Sequence, residues 1–328
     1  MDDTIYFHLP GFFQHQKLNY LFATFLRDDP DSFYPNIKIG SVYDTFPNAI
    51  WNGGRVIINT EVPKPFIEQT YSMFNDLGIP VRHTFTNNSL EPTDVYDRYC
   101  NAIMKLGDNG MNEVLVNQPE LEEYIREKYP SYKIISSTTK RLTNLGDLNR
   151  DLEKDYKLVV LDYTLNRDPR VFTLSDISRI EILVDAYCCD NCPRRTEHYK
   201  HMSGVQANYA YQGNPNLDED PFLCQYIADD FYRVLMTRKS VIKVEELYGF
   251  YHQAGICNFK IEGRTNNPAD VLESYIYYMV KPEFRDHTRL LLLRELFTQD
   301  QQPQINLTKE EFEELSKKRA AKIEQLQK

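Results

Sequence analysis

Three thiols fall within five residues in Cys188-Cys189-Asp190-Asn191-Cys192-Pro193, and Cys224 follows in Pro221-Phe222-Leu223-Cys224. Thiolates are soft ligands suited to iron–sulfur clusters, zinc or copper(I). A short loop that returns a second sulfur can hold one edge of such a centre, and a remote cysteine can close it. One buried cysteine alone would read as a small apolar residue; three this close point to a metal or cluster. Cys189-x-x-Cys192 has zinc spacing, and His198 and His201 stand near enough in sequence to complete a zinc site. Cys257 is set aside: it opens a strand, about 16 Å from that strand's far end at about 3.3 Å per residue. Cys100 sits in an expected outer helix and reads as structural.

The second chemical feature is Lys260-Ile261-Glu262-Gly263-Arg264. Alternate residues of a strand share a face, so Lys260, Glu262 and Arg264 point together. Three charges do not suit packing against outer helices. They suit the mouth of a barrel, where Glu262 can accept or donate a proton and Lys260 and Arg264 can hold an anion. Gly263 allows close backbone approach. The structural alternative is an internal ion network that only stabilises the barrel. Weaker candidates are Asn117, Ser136, Ser137, Asp162, His8 and the run Trp51-Asn52-Gly53-Gly54-Arg55. The chain has no G-x-S-x-G, no H-E-x-x-H and no Walker sequence, so the familiar parts of hydrolase chemistry are missing.

The elements that must carry these residues alternate as strand and helix with short connections, the pattern of a parallel sheet. Strands are expected at 5–9, 37–43, 81–85, 113–116, 132–136, 157–163, 179–187 and 258–261. Helices are expected at 16–27, 65–77, 93–106, 119–128, 145–154 and 174–177, with a last one entered through Asn267 as cap and Pro268 in first position. Eight units close a (β/α)8 TIM-type barrel, expected over residues 1–290. The turn after the first strand is Pro10-Gly11, not the Gly-rich phosphate turn of an open doubly wound sheet. The longest break, residues 188–257, is an insertion between strands seven and eight, at the barrel end where active sites form. Residues 306–328 read as an appended charged surface helix opened by a Thr308/Glu311 capping box, with a contact for a protein partner as the alternative reading.

The 328 residues carry a formal net charge of −10, which argues against general duplex binding but leaves room for a local basic pocket. An apolar fraction of 41% supplies a sizeable core without disulfide staples. The acidic start Met1-Asp2-Asp3-Thr4 does not resemble a signal peptide, and no run is long and apolar enough for a bilayer. The expected address is the cytoplasm, where six cysteines read as thiols or ligands.

Gly255-Ile256-Cys257-Asn258-Phe259-Lys260-Ile261-Glu262-Gly263-Arg264, followed by a helix with Tyr275, resembles the hallmark of the U32 peptidase family, the collagenase-like proteins. So does Val184-Asp185-Ala186-Tyr187-Cys188 placed ahead of it. The resemblance spans residues 5–285. It implies a barrel with a four-cysteine [4Fe–4S] cluster. In several members it implies oxygen-independent hydroxylation of aromatic rings or RNA bases, with prephenate as the oxygen donor; others are described as peptidases. By position it implies Cys188, Cys192 and Cys224 as ligands. The compact Cys188–Cys192 hook replaces a longer loop bearing another cysteine, which leaves Cys189 as provisional fourth ligand and marks a divergent subfamily. The expected function is thus an iron–sulfur hydroxylase acting on an aromatic small molecule or an RNA base. A peptidase, or a non-catalytic zinc- or cluster-bearing partner protein, is the alternative.

Overall fold

The computed structural model describes residues 3–54, 60–212, 221–222, 224 and 229–298. Eight parallel strands close a barrel in chain order: β1 (Ile5–Pro10), β2 (Ile37–Asp44), β3 (Val81–Phe85), β4 (Glu113–Val116), β5 (Lys133–Ser136), β6 (Leu158–Val160), β7 (Ile180–Leu183) and β8 (Asn258–Lys260). β3, β4, β6 and β7 are buried along their whole length, as strands covered on both faces must be. Between them run α1 (Gln16–Asp28), α2 (Lys64–Asn75), α3 (Arg98–Leu106), α4 (Pro119–Lys128) and α5 (Leu145–Leu152). The chain is a (β/α)8 TIM-type barrel. Among the described residues no helix is long and apolar enough to cross a membrane.

Four expected elements differ, each for a local reason; the strand expected over 157–163 ends at Val160, because Asp162 caps a 3-10 turn at Tyr163–Leu165 by accepting from the Thr164 amide at 3.0 Å. The helix expected over 93–106 is divided into a 3-10 turn, Pro92–Tyr96, and α3, because Asp97 takes an extended ψ of 128° and its carboxylate caps the Cys100 amide at 2.7 Å. The short helix expected at 174–177 is replaced by 3-10 turns at Pro169–Thr173 and Ile177–Arg179 with Leu174 extended between them. Both turns follow an aspartate, and Asp168 caps the Arg170 amide at 3.0 Å. β7 ends at Leu183 and not at Tyr187, since the Val184 carbonyl accepts from Ile242 of the returning insertion at 2.9 Å.

The insertion builds α6 (Arg195–Gln212), α7 (Phe231–Thr237) and α8 (Val244–Glu246), which runs on into a π turn at Leu247–Tyr251. α6 crosses the barrel mouth. Arg195 at its start pairs with Asp162 after β6, and the Ser203 carbonyl accepts from Asn87 after β3 at 3.4 Å. Gly54 lies directly beneath it with φ +82°, and a Cβ there would stand 2.1 Å from the Met202 carbonyl oxygen. α9 (Pro268–Met279) starts as expected, with the Asn267 side chain accepting from the Ala269 amide at 2.9 Å. The barrel unit comprises Met1–Arg289; a second unit begins at Leu290, within α10 (Arg285–Thr298). The expected 306–328 helix lies outside the described residues.

The barrel lumen is divided by chemistry. On one side Leu115, Ile135, Leu158 and Val160 form an apolar cluster. Beside it lies a buried polar group centred on Arg82, whose Nε donates to Glu113 at 2.6 Å and whose Nη1 donates to Glu181 at 2.5 Å. Its Nη2 donates to His8 Nδ1 at 3.0 Å, which places the His8 proton on Nε2, toward Asn258 Oδ1 at 3.3 Å. Burial, reinforced by Arg82, pushes the His8 pKa down to about 3, so the ring stays neutral. Removing the shared cation would strand two buried carboxylates. Arg82→Met should therefore lose about 3–5 kcal/mol of unfolding free energy, read as a lower urea midpoint at unchanged slope. An unshifted midpoint would show that the network contributes nothing.

Candidate functional site

A cavity of about 400 Å³ opens at the C-terminal end of the barrel. Its floor is the last inward-pointing layer of the strands: Tyr43, Thr84, Leu115, Leu183 and Lys260. Glu262 and Arg264 rise from the same side of the chain beyond β8. α6 contributes Arg195, His198, Tyr199 and Met202, and the segments around it add Cys188, Cys192, Phe222 and Cys224. The cysteine hook and the charged strand end, far apart in sequence, thus face one space.

The sulfur atoms of Cys188, Cys189 and Cys192 all lie within 4.8 Å of one another. Cys224 stands outside that group but lines the same cavity. Burial raises the Cys188 thiol, and burial followed by the charge of Cys188 pushes Cys189 up to about 12. Thiols this close repel one another as thiolates, so a bound cation is what would let them ionise together. A single tetrahedral ion with bonds of about 2.3 Å needs sulfurs about 3.8 Å apart, which the group already allows. A four-iron cluster would need these sulfurs to spread, with Cys224, which acts electrostatically on Cys189, as the remaining ligand. The all-sulfur donor set suits either. His198 and His201 belong to neither group of donors; their rings pack on Phe222 at 5.3 and 5.4 Å. Cys257 lies at the far end of β8, where its carbonyl accepts from Tyr6 at 2.8 Å, and Cys100 is buried in α3.

The charged strand end is divided between two tasks. Lys260 is 6% exposed, with Nζ 3.6 Å from Glu181 Oε1 and 4.0 Å above the Tyr43 ring. It therefore joins the internal ion network and also forms the cavity floor. Arg264 Nη1 donates to Thr84 Oγ1 at 2.5 Å and lies 4.0 Å from Asp44 Oδ1. Asp44 is fully buried, and burial raises its pKa to about 6 against the pull of Arg264.

Glu262 and Asp185 grip each other's strands. The Asp185 carboxylate accepts from the Glu262 amide at 2.7 Å and from Ser274 Oγ at 2.7 Å. In return the Glu262 carboxylate accepts from the Tyr187 amide at 2.9 Å, one residue before Cys188. The weaker candidates have structural partners. Ser136 donates to Asp151 at 2.6 Å, Ser137 bonds Thr139 at 2.9 Å, and the buried Trp51 donates to the Asp94 carbonyl at 2.7 Å. Asn117 is half-buried, and Arg55 lies outside the described residues.

Sequence reasoning passed over Asp44, Asp185 and Arg195. Arg195 is 1% exposed, pairs with Asp162 and stacks 3.9 Å over the Tyr163 ring. Two signals were present: the Arg194-Arg195 pair directly after the hook, and Asp185 inside the strand that ends in cysteines.

Burial raises the Asp185 pKa to about 7 from 3.8. The folded state therefore binds the proton more tightly than the unfolded state. The associated stability is complete below the unfolded value and is lost as pH rises toward 7, by at most about 1.4 kcal/mol per pH unit. Asp185→Asn removes this dependence, so the variant's stability relative to wild type should improve between pH 5 and pH 8 in parallel urea titrations. A constant difference would show that Asp185 does not titrate there.

The model of peptidase family U32 matches residues 71–287. Among solved structures, the U32 peptidase Mk0906 aligns over 79% of this chain and 93% of its own, with a TM-score of 0.47 and 13% identity. No curated protein matches the chain.

Proposed function

Because this chain belongs to peptidase family U32, we propose that its cavity is the active site of an iron–sulfur enzyme that hydroxylates an aromatic ring or a nucleobase without molecular oxygen. The observation that carries this reading is the opening of the cysteine hook onto the same cavity as Lys260, Glu262 and Arg264. Cys188, Cys189, Cys192 and Cys224 would hold the cluster, which when bound supplies one-electron chemistry beside the substrate. Zinc is the alternative occupant of the same sulfurs.

The rest of the work falls to the chain's own groups. Arg264 offers a planar fork to a carboxylate or phosphate, and Lys260 beneath it adds positive charge. An organic oxygen donor of the prephenate kind would be anionic, as these groups require. Glu262, held by the Tyr187 amide, stands where it can take or return a proton at the reacting carbon. Tyr163, Tyr187 and Phe222 line the walls and supply ring faces for a flat substrate. α6 across the mouth limits the entry of water. A cytoplasmic setting, in which such thiols stay reduced, accords with this chemistry. A protein partner at the 306–328 segment belongs to the same proposal.

Anaerobic purification should give brown protein with iron and acid-labile sulfide in equal amounts, and Cys188→Ala or Cys192→Ala should lose most of both. Cys189→Ala and Cys224→Ala measured alongside identify the fourth ligand. Zinc without iron would overturn the hydroxylase reading in favour of a zinc-bearing protein. The family's own description favours a second reading, a peptidase. Proteolysis by purified protein that disappears in Glu262→Gln and persists without iron would establish it.

A further inference from the structure

Within the cavity just assigned, and resting on that assignment, we infer that Lys260 is a nucleophile: its amine forms an imine with the carbonyl carbon of a 2-oxo acid whose carboxylate is held by Arg264.

The inference starts from the charges in the lumen. Two buried carboxylates, Glu113 and Glu181, face three cations, Arg82, Lys157 and Lys260. Arg82 holds both carboxylates, Glu113 at 2.6 Å and Glu181 at 2.5 Å. Lys157 pairs with the second oxygen of Glu113, and its side chain is 44% exposed, so water also serves it. Lys260 is the third cation, and it stands over Glu181 Oε1, the oxygen that Arg82 does not hold. Its side chain is 8% exposed, and Glu181 Oε1 stands at 3.6 Å, beyond hydrogen-bond distance. The Tyr43 ring face at 4.0 Å compensates a charge weakly.

A buried ammonium beside two guanidinium groups is held as a free amine more readily than one in water. Burial is the main cause, opposed by Glu181 and reinforced by Arg82 and Arg264, and it brings the Lys260 pKa down to about 8. Desolvation next to another cation is how a lysine becomes a nucleophile at neutral pH.

Geometry supplies the partners. Lys260, Glu262 and Arg264 alternate along the chain and line one cavity of about 400 Å³. Arg264 and Lys260 border the same cavity, so an electrophile that matches both is a carbonyl adjacent to a carboxylate. The Nζ lone pair forms the new bond to the carbonyl carbon, and the carbonyl π pair becomes a hydroxyl. The nitrogen gives up its two protons in turn to Glu262, which passes each to that oxygen, and the oxygen leaves as water as the nitrogen lone pair closes the C=N bond. Amine plus carbonyl thus becomes imine plus water, with no change in oxidation state.

The test is reductive trapping with pyruvate and borohydride, read by intact mass and peptide mapping, on metal-depleted and metal-loaded protein alike. One pyruvate-derived adduct per chain is expected, mapped to Lys260 and absent from Lys260→Arg. Arg264→Gln should cut labelling at subsaturating pyruvate by about tenfold. No adduct, or labelling at Lys260 no faster than at surface lysines, would overturn the inference; the wild-type map decides this even if a variant misfolds. Iron content plays no part in the readout, so the trap and the cluster assay fail independently.

Discussion

The guanidinium of Arg82, enclosed in the barrel lumen between Glu113 and Glu181, is the interaction on which the upper half of the molecule depends. A charge at 0% exposure is tolerable only when its hydrogen-bond donors are used, and here they reach β4, β7 and β1. That requirement fixes the register of strands far apart in sequence. It also sets the character of the layer above, because Glu181 gives one oxygen to Arg82 and presents the other to Lys260 at 3.6 Å. The lower lumen stabilises, and its ion network continues into the cavity floor through Lys260.

One level higher, the ends of β7 and β8 are joined by side chains gripping backbones. The strand ladder stops at Leu183, and the Asp185–Glu262 exchange takes its place. This is why the cysteine hook and the Lys-Ile-Glu-Gly-Arg run can face one cavity without continuous strand pairing to bring them there. α6 then closes the mouth, anchored at its start by Arg195 on Asp162 and Tyr163. Gly54 permits that closure, since nothing larger fits under Met202.

Much of the frame was legible in the sequence because it is governed by local rules. Alternating apolar segments, Pro and Asn at helix starts, and eight repeats led to the barrel, and residues such as Val114, Val159 and Ile182 behave as that pattern requires. The elements that departed from expectation are those where one polar side chain outweighs periodicity: Asp97 divides a helix, and four residues from Leu174 were too few to nucleate one. At the site, the types and spacing of the cysteines and of Lys260, Glu262 and Arg264 were readable. Their division of labour was not. That Lys260 reaches down into the ion network, or that Asp185 grips the Glu262 amide, depends on contacts 79 and 77 residues apart in the chain. No local pattern records such contacts.

The exchange between Asp185 and Glu262 has an energetic corollary. Glu262 cannot both accept from the Tyr187 amide with one oxygen and turn fully toward a ligand without loosening the segment that carries Cys188. Were a metal held by those sulfurs, its occupancy and that of the cavity would be thermodynamically linked. Whatever factor a ligand applies to metal affinity, the metal must apply to ligand affinity. The barrel mouth would in that case act as one two-ligand device, with a carboxylate for its joint.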